Sequence, residues 1–493
     1  MAAPGLHHGG DLAVTGIPAT MTAVVDGRWS PAGAGPLHDV LDPSSGEAIA
    51  RFEESSAGLV DAAVRSGERA WQGAWARTSP ADRGRILLRC AEAVHRHAAA
   101  LARLESLDTG KPLSQARADI DVSARYLEYY AGACDKLAGQ TLSQPAGTFA
   151  YTLHEPYGVI AHITPWNAPL SQMMRGVAPS LAAGNAVVVK PSELTPLTTA
   201  LAAVLLVEAG LPEGLCNVVL GPGSTVGEEL VRHPLVQRIA FTGSVATGRH
   251  VGRAAADRVV GCNLELGGKS PTIVCADADL PRAAAAGALA VVRNSGQSCF
   301  ATTRLLVDRT VHDRFVELVA AQLEGLTLGP GLEDPDLGPL VSQTQRDRVL
   351  SLVEDARADG AHVVAGGTDG GRSAGWFVAP TLLAGVTSGM PIAQTEVFGP
   401  VQSVLAFNDL DEAVRMANDT PYGLSAGVFT ADLGRAHRLA SALQAGQVQI
   451  NRYTGAGVEI PFGGYKQSGI GREKGMDALL HYSQVKSVIV ALD

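Results

Sequence analysis

At 493 residues the chain is too long for one ordinary hydrophobic core, so two or three domains are expected. Its 46% hydrophobic and 18% charged residues describe a globular protein with ample core-forming material. A net charge of −10, spread along the chain without an acidic or basic tail, excludes nucleic acid and an anionic membrane as main partners.

Residues 1–20, rich in Gly, Ala and Pro, read as a mobile tail in which His7 and His8 carry no metal chemistry. Six cysteines (Cys90, Cys134, Cys216, Cys262, Cys275, Cys299) show no metal-like spacing. With no secretory signal, they predict free thiols in a reducing, cytoplasmic setting. Residues 24–52 alternate short β-like runs with turns such as Asp26-Gly27 and Asp42-Pro43-Ser44-Ser45-Gly46. Helical spacing follows at 59–75 and at 80–107, the latter entered through Thr78-Ser79-Pro80, and again at 119–138 before Gly139. Trp71 and Trp75, one turn apart, read as packing. The longest apolar run, 283–292, is about half of what a membrane span needs.

From Tyr157 the pattern becomes strand, turn, helix, repeated. Strands are predicted at 158–163, 186–190, 215–220 and 236–241, each followed by a turn and a helix. Such alternation implies parallel strands with helical crossovers, an α/β fold with a Rossmann-like sheet. Trp166, Asn167, Lys190, Glu193 and Ser244 fall just past strand ends, where open α/β sheets take ligands. A second α/β set runs from about 265 to 466, with a strand at 303–308 and helices at 312–326, 345–360 and 409–418. A last strand, 485–492, has no sequential partner and is left to pair with another element or subunit.

Four segments carry chemistry. Arg293-Asn294-Ser295-Gly296-Gln297-Ser298-Cys299-Phe300 sets one thiol among amides and hydroxyls, which can hydrogen-bond a thiolate and lower its pKa. Taken alone, the segment fits a structural cysteine better. Gly243-Ser244-Val245-Ala246-Thr247-Gly248 opens a helix after a strand and suits a phosphate, although the spacing is not GxGxxG and a plain tight turn fits equally. A lysine at a strand end, Lys190, can meet a ribose hydroxyl or phosphate. Glu193 can bind the two hydroxyls of an adenosine ribose and repel a 2′-phosphate, favouring NAD over NADP; a solvated Lys–Glu pair is the commoner fate. Glu265, ending an apolar strand before Leu266-Gly267-Gly268, is placed for a raised pKa and general-base work, with a cap or salt bridge as the alternative.

In order and spacing, residues 164–167, 190–193, 241–244, 265–271, 296–299, 396–400 and 461–469 resemble the aldehyde dehydrogenase superfamily, over nearly the whole chain after residue 21. The resemblance implies a Rossmann-like NAD-binding domain (21–134 with 157–264), a catalytic domain (265–470) and a small β oligomerisation arm (135–156 with 483–493). It also implies a homodimer or homotetramer. By motif, Cys299 resembles the nucleophile, Glu265 the base, and Asn167 the oxyanion amide acting with the Cys299 backbone N–H. Ile163, Thr164, Pro165, Trp166, Gly223, Phe241, Gly243 and Leu266 resemble cofactor-lining positions. Lys190, Ser192 and Glu193 match those at the adenosine ribose, Ser244 the pyrophosphate contact, and Glu396 with Phe398 the nicotinamide ribose.

The reaction implied is oxidation of a small-molecule aldehyde to its acid through a cysteine hemithioacetal and thioester. NAD is the expected cofactor, NADP the alternative, and no metal is called for. Glu265 argues against a CoA-acylating relative; thiol, carboxylate and amide together argue against a non-catalytic binding protein on this fold. Small residues at tunnel positions (Ala168, Ser171, Gly455, Ala456), near Phe462, predict a wide pocket. The Ala168-Pro169 … Arg175 pattern is similar to that of aromatic-aldehyde members. Arg175 and Arg293 also fall at tunnel positions, and one of them is predicted to meet a polar or anionic group, as in a semialdehyde. Pairing with a local carboxylate is the ordinary alternative for either.

Overall fold

Two large sheets and two three-stranded ones organise the chain. The computed structural model describes residues 17–31, 33, 35–453 and 457–492. His7, His8, Gly455 and Ala456 lie outside the described residues.

The first large sheet has eight strands, and its middle five are parallel: Gly261–Glu265, Val236–Thr242, Val159–Ile163, Ala186–Lys190 and Cys216–Val218. Ala186–Lys190, read Ala-Val-Val-Val-Lys, is buried along its whole length because helices cover both faces, which is why it shows no polar alternation. The register pairs Lys190 with Ile163, Ile163 with Phe241, and Thr242 with Glu265. Residues distant in sequence therefore line one carboxyl edge of this sheet. Antiparallel strands close its ends, Gly469–Ile470 beside Gly261–Glu265 and Ala23–Val25 beside Cys216–Val218.

A two-glycine turn after Glu265 leads into the second large sheet of seven strands, centred on Pro271–Val274 and Arg304–Asp308. Ile273 and Leu306 pack into one core while Val274, Leu305 and Val307 pack into another. That is the two-residue period of a strand with both faces covered. The late strand Ser483–Ala491 pairs antiparallel with Thr148–Pro156 over its full length, so its partner lies within the same chain.

Several boundaries differ from the sequence reading. Packed structure already begins at Ile17, which is buried, and Thr20–Met21 pairs with Ala48–Glu53, so the expected tail through residue 20 is too long. The predicted helix 80–107 is two, Pro80–Arg96 and Ala98–Thr109, broken where His97 leaves helical geometry (φ −99, ψ 10). The helix predicted at 119–138 spans Leu113–Ala131, entering from the extended Pro112 and ending at Gly132. Trp75 is fully buried, as packing requires. Among the described residues no helix is long and apolar enough to cross a membrane.

Candidate active site

The helix Leu280–Val292 ends seven residues before the thiol, and the backbone then takes an unusual path. Asn294 (φ 51), Ser295 (φ 52) and Gly296 (φ 71) are left-handed in succession. Such conformations cost a non-glycine residue roughly 1–2 kcal/mol each, so something must hold them. At Gly296 a β-carbon would run into the Gly399 carbonyl, so the third position tolerates only glycine. The first two are held by hydrogen bonds. Asn294 N–H donates to Gln115 Oε1 at 2.7 Å, and Ser295 Oγ donates to the Gly338 carbonyl at 2.7 Å. Asn294 Nδ2 donates to the carbonyls of Asn167 (2.8 Å) and Gln297 (3.1 Å).

That network ties the thiol loop to Asn167. Asn167 Nδ2 donates to the Gln297 carbonyl at 2.9 Å, which leaves the amide one further N–H. The Cys299 N–H donates no hydrogen bond among the described residues. Two donors thus remain for an oxygen bound at the sulfur. Beneath Asn167, Lys111 Nζ donates to the Asn167 carbonyl at 2.8 Å and to Asp119 Oδ2 at 2.6 Å. Lys111 and Gln115 were not singled out in the sequence; Lys111 sits in the Gly110-Lys111-Pro112 turn between the helices Ala98–Thr109 and Leu113–Ala131, where a lysine carries no local signal.

The amides beside Cys299 do not act on it as the sequence suggested. They spend their donors on backbone carbonyls, and burial pushes the thiol up to about 12, with Arg175 and Lys474 pulling the other way. Glu265 and Glu396 add to that rise, the two cations offset part of it, and no side chain among the described residues hydrogen-bonds the sulfur. At Glu265 the expected rise in pKa is found. The residue is buried, both carboxyl oxygens lack a hydrogen-bond partner, and burial together with the charge of Glu473 holds its pKa well above the usual carboxylate range.

Two cavities meet at the thiol. One, about 330 Å³, is lined by Pro165, Trp166, Gly243, Ser244, Leu266, Glu396 and Phe398 and reaches Glu265, Asn167 and Cys299. The other, about 440 Å³, has Ala168, Arg175, Arg293, Phe300 and Phe462 in its wall and also reaches Asn167 and Cys299.

The first cavity suits the nicotinamide end of a dinucleotide. Glu396, half-buried and pushed up to about 7 by desolvation, accepts the Gly268 N–H at 2.9 Å. Trp166 and Phe398 meet edge to face at 5.1 Å across it. Gln345 and Arg348, also missed in the sequence, pin the backbone carbonyls of residues 396–398. Thr164 presents a buried hydroxyl with no partner. Ser244 caps the helix Val245–Asp257 by accepting the Thr247 N–H, so the plain-turn role and the open helix end coexist. Lys190 Nζ lies 3.1 Å from Glu193 Oε2, the ion pair named as the ordinary alternative, yet the half-exposed Glu193 keeps a free oxygen. Ile163, Lys190, Ser192, Glu193 and Phe241 stand at or next to the same sheet edge but outside the cavity wall, with the Phe241 ring packed under Gly243. Gly223 begins a separate turn beyond Cys216–Val218.

In the second cavity the two arginines part company. Arg175 is buried and ion-paired to Glu473, with a further hydrogen bond to Thr242 Oγ1 at 3.3 Å, so the expectation that it greets a substrate gives way to structural pairing. Arg293 is half-buried, and its side chain forms no ion pair or hydrogen bond among the described residues.

Comparison with known proteins agrees with this geometry. The model of the Aldehyde dehydrogenase family matches residues 29–488. A betaine aldehyde dehydrogenase of Cereibacter sphaeroides is 46% identical over 472 residues, 95% of this chain and 96% of that protein. The NAD+ complex structure of aldehyde dehydrogenase from Bacillus cereus superposes with a TM-score of 0.94 at 39% identity, covering 96% of this chain and 97% of that one. A Staphylococcus aureus betaine aldehyde dehydrogenase in complex with NAD+ gives 0.95 at 36% identity, covering 99% and 97%.

Proposed function

The chain belongs to the aldehyde dehydrogenase family, and from that premise we propose that Cys299, Asn167 and Glu265 carry out an NAD-dependent oxidation of aldehydes to carboxylic acids. One observation supports this above the others: a single thiol stands where a cleft at the carboxyl edge of the parallel sheet meets a separate cavity. The Cys299 sulfur attacks the aldehyde carbon, forming a C–S bond, and the new oxyanion takes the spare Asn167 N–H and the Cys299 backbone N–H. NAD, when bound, supplies the acceptor for the hydride that the hemithioacetal carbon gives up. Glu265 takes a proton from a water whose oxygen attacks the thioester left on Cys299, releasing the acid and the thiolate. A carboxyl with a raised pKa suits that proton transfer near neutral pH. Glu396, Phe398, Trp166, Gly243, Ser244 and Leu266 would hold the cofactor, with Lys190 and Glu193 at its adenosine end and the Glu193 charge disfavouring NADP.

In this reading residues 21–134 with 157–264 bind the cofactor, 265–470 present the thiol, and 135–156 with 483–493 join copies of the chain. Exposed Phe149, Leu153, Val485 and Ile489 on the small sheet support a homo-oligomer. Six free cysteines support a reducing, cytoplasmic location. The wide cavity suits bulky or aromatic aldehydes, and relatives named for betaine aldehyde place a cationic aldehyde on the test panel. Following NADH absorbance with aliphatic, aromatic and charged aldehydes, with NAD and NADP in turn, tests the reading. Absence of turnover with every aldehyde would sink it.

A further inference from the structure

The substrate cavity carries more positive charge than a carbonyl needs. Lys111, Arg175, Arg293 and Lys474 all reach it, against Asp119. Two of these charges are committed elsewhere, Lys111 to Asp119 and Glu105, and Arg175 to Glu473. That of Arg293 is not: among the described residues its guanidinium takes neither an ion pair nor a hydrogen bond. It follows the helix Leu280–Val292 directly, so attraction to the helix's C-terminal carbonyls is a rival account of its place. Its field reaches further, however. Tyr453 is buried with a hydroxyl that has no hydrogen-bond partner among the described residues. Burial raises the pKa of that phenol and the charge of Arg293 pulls it back. A guanidinium and a neighbouring hydroxyl thus offer donors for which the described residues supply no acceptor.

A second observation concerns the aromatic wall. A quaternary ammonium is ordinarily received on open aromatic faces. Here Arg175 Cζ lies 5.4 Å, and Lys474 Nζ 5.2 Å, from the centre of the Phe462 ring. Phe300 packs against Phe462 and Tyr453 in turn. The ring best placed to receive an external cation already holds two of the protein's own.

We infer that this cavity selects aldehydes carrying a carboxylate remote from the carbonyl, held by Arg293, and disfavours aldehydes carrying a trimethylammonium group. The inference rests on the reading of Cys299 as nucleophile, and neutral aldehydes separate the two. The test measures kcat/KM for glutaric semialdehyde against pentanal, for 4-carboxybenzaldehyde against 4-methylbenzaldehyde, and for betaine aldehyde. In the unaltered enzyme the better carboxylate substrate exceeds its neutral partner at least about tenfold, and betaine aldehyde falls below both. In Arg293→Gln the KM of that substrate rises about tenfold or more while kcat and the neutral aldehydes hold, and Arg293→Lys recovers part of the loss. Equal use of charged and neutral aldehydes would overturn the inference and leave the parent reaction standing. So would an equal loss for both classes in Arg293→Gln, the mark of a helix-end role. Calorimetry with glutarate and terephthalate gives a readout without turnover: at least one binds the unaltered enzyme and binds Arg293→Gln at least tenfold more weakly, whereas binding of neither refutes the idea.

Discussion

The two cavities that meet at Cys299 are built in different ways. The cofactor cleft is walled largely by the chain itself, at the turns after Val159–Ile163, Val236–Thr242 and Gly261–Glu265. The substrate cavity is walled by side chains from the helices Leu113–Ala131 and Pro169–Ala182 and from the segments around 293–300 and 457–474. A wall of turns changes only if the fold changes. A wall of side chains can be altered one residue at a time without moving a strand, so selectivity is freer to vary there.

Substitutions can break that contrast at its junction first. Cys299→Ala is expected to lower kcat/KM on the order of 10⁴-fold or more, while NAD affinity, read by fluorescence quenching, stays within about twofold. A comparable loss of affinity would mean that the cleft and the thiol are not separable. Next comes Glu265→Gln, which should cut steady-state turnover by roughly 10²–10⁴-fold yet leave a first-turnover burst of NADH, since only release of the acyl group needs the base. Lack of the burst would place Glu265 before acylation.

A smaller effect tests whether the cavity floor holds the oxyanion amide. Lys111→Met removes the ammonium under the Asn167 carbonyl and should reduce kcat by roughly 10–100-fold with little change in KM for the aldehyde. A pure rise in KM would recast Lys111 as a substrate contact. Smallest is the effect of Lys474→Met. The ammonium of Lys474, itself brought down to about 8 by burial, favours the Cys299 thiolate. Its loss raises the thiol further, so the ascending limb of kcat/KM moves to higher pH and the rate at pH 7 falls by roughly threefold to tenfold. A limb that stays in place would show that Lys474 does not act on the sulfur.

Much of the cleft was legible because its parts are local. An apolar run such as Ala186–Lys190 announces a buried strand, and the polar residue that ends it is then placed by the sheet. The thiol, the carboxylate and the amide were readable as types at strand ends, and their spacing carried the family resemblance. The rest depended on contacts that no local pattern encodes. Apolar spacing continues through His97, so the break there was hidden. The fate of Arg175 is decided by Glu473, far along the chain. The left-handed turn at Asn294 and Ser295 uses residues that do not demand it, and only the bonds to Gln115, Asn167 and Gly338 make it affordable.

The small sheet also bears on how the molecule is made. Its strand Ser483–Ala491 pairs with a segment that left the ribosome much earlier: Lys486 contacts Glu155 across 331 positions. Thr148–Pro156 therefore emerges with one edge open and waits through synthesis of almost everything that follows. At the entry to the late strand, the Tyr482 carbonyl accepts Asn185 Nδ2 at 2.8 Å, and the same Asn185 side chain receives the backbone N–H groups of Tyr157 and Gly158. Arrival of this segment thus latches the first large sheet as well as the small one, and ribosome stalling before it would leave a nascent chain with an uncovered edge, prone to aggregate.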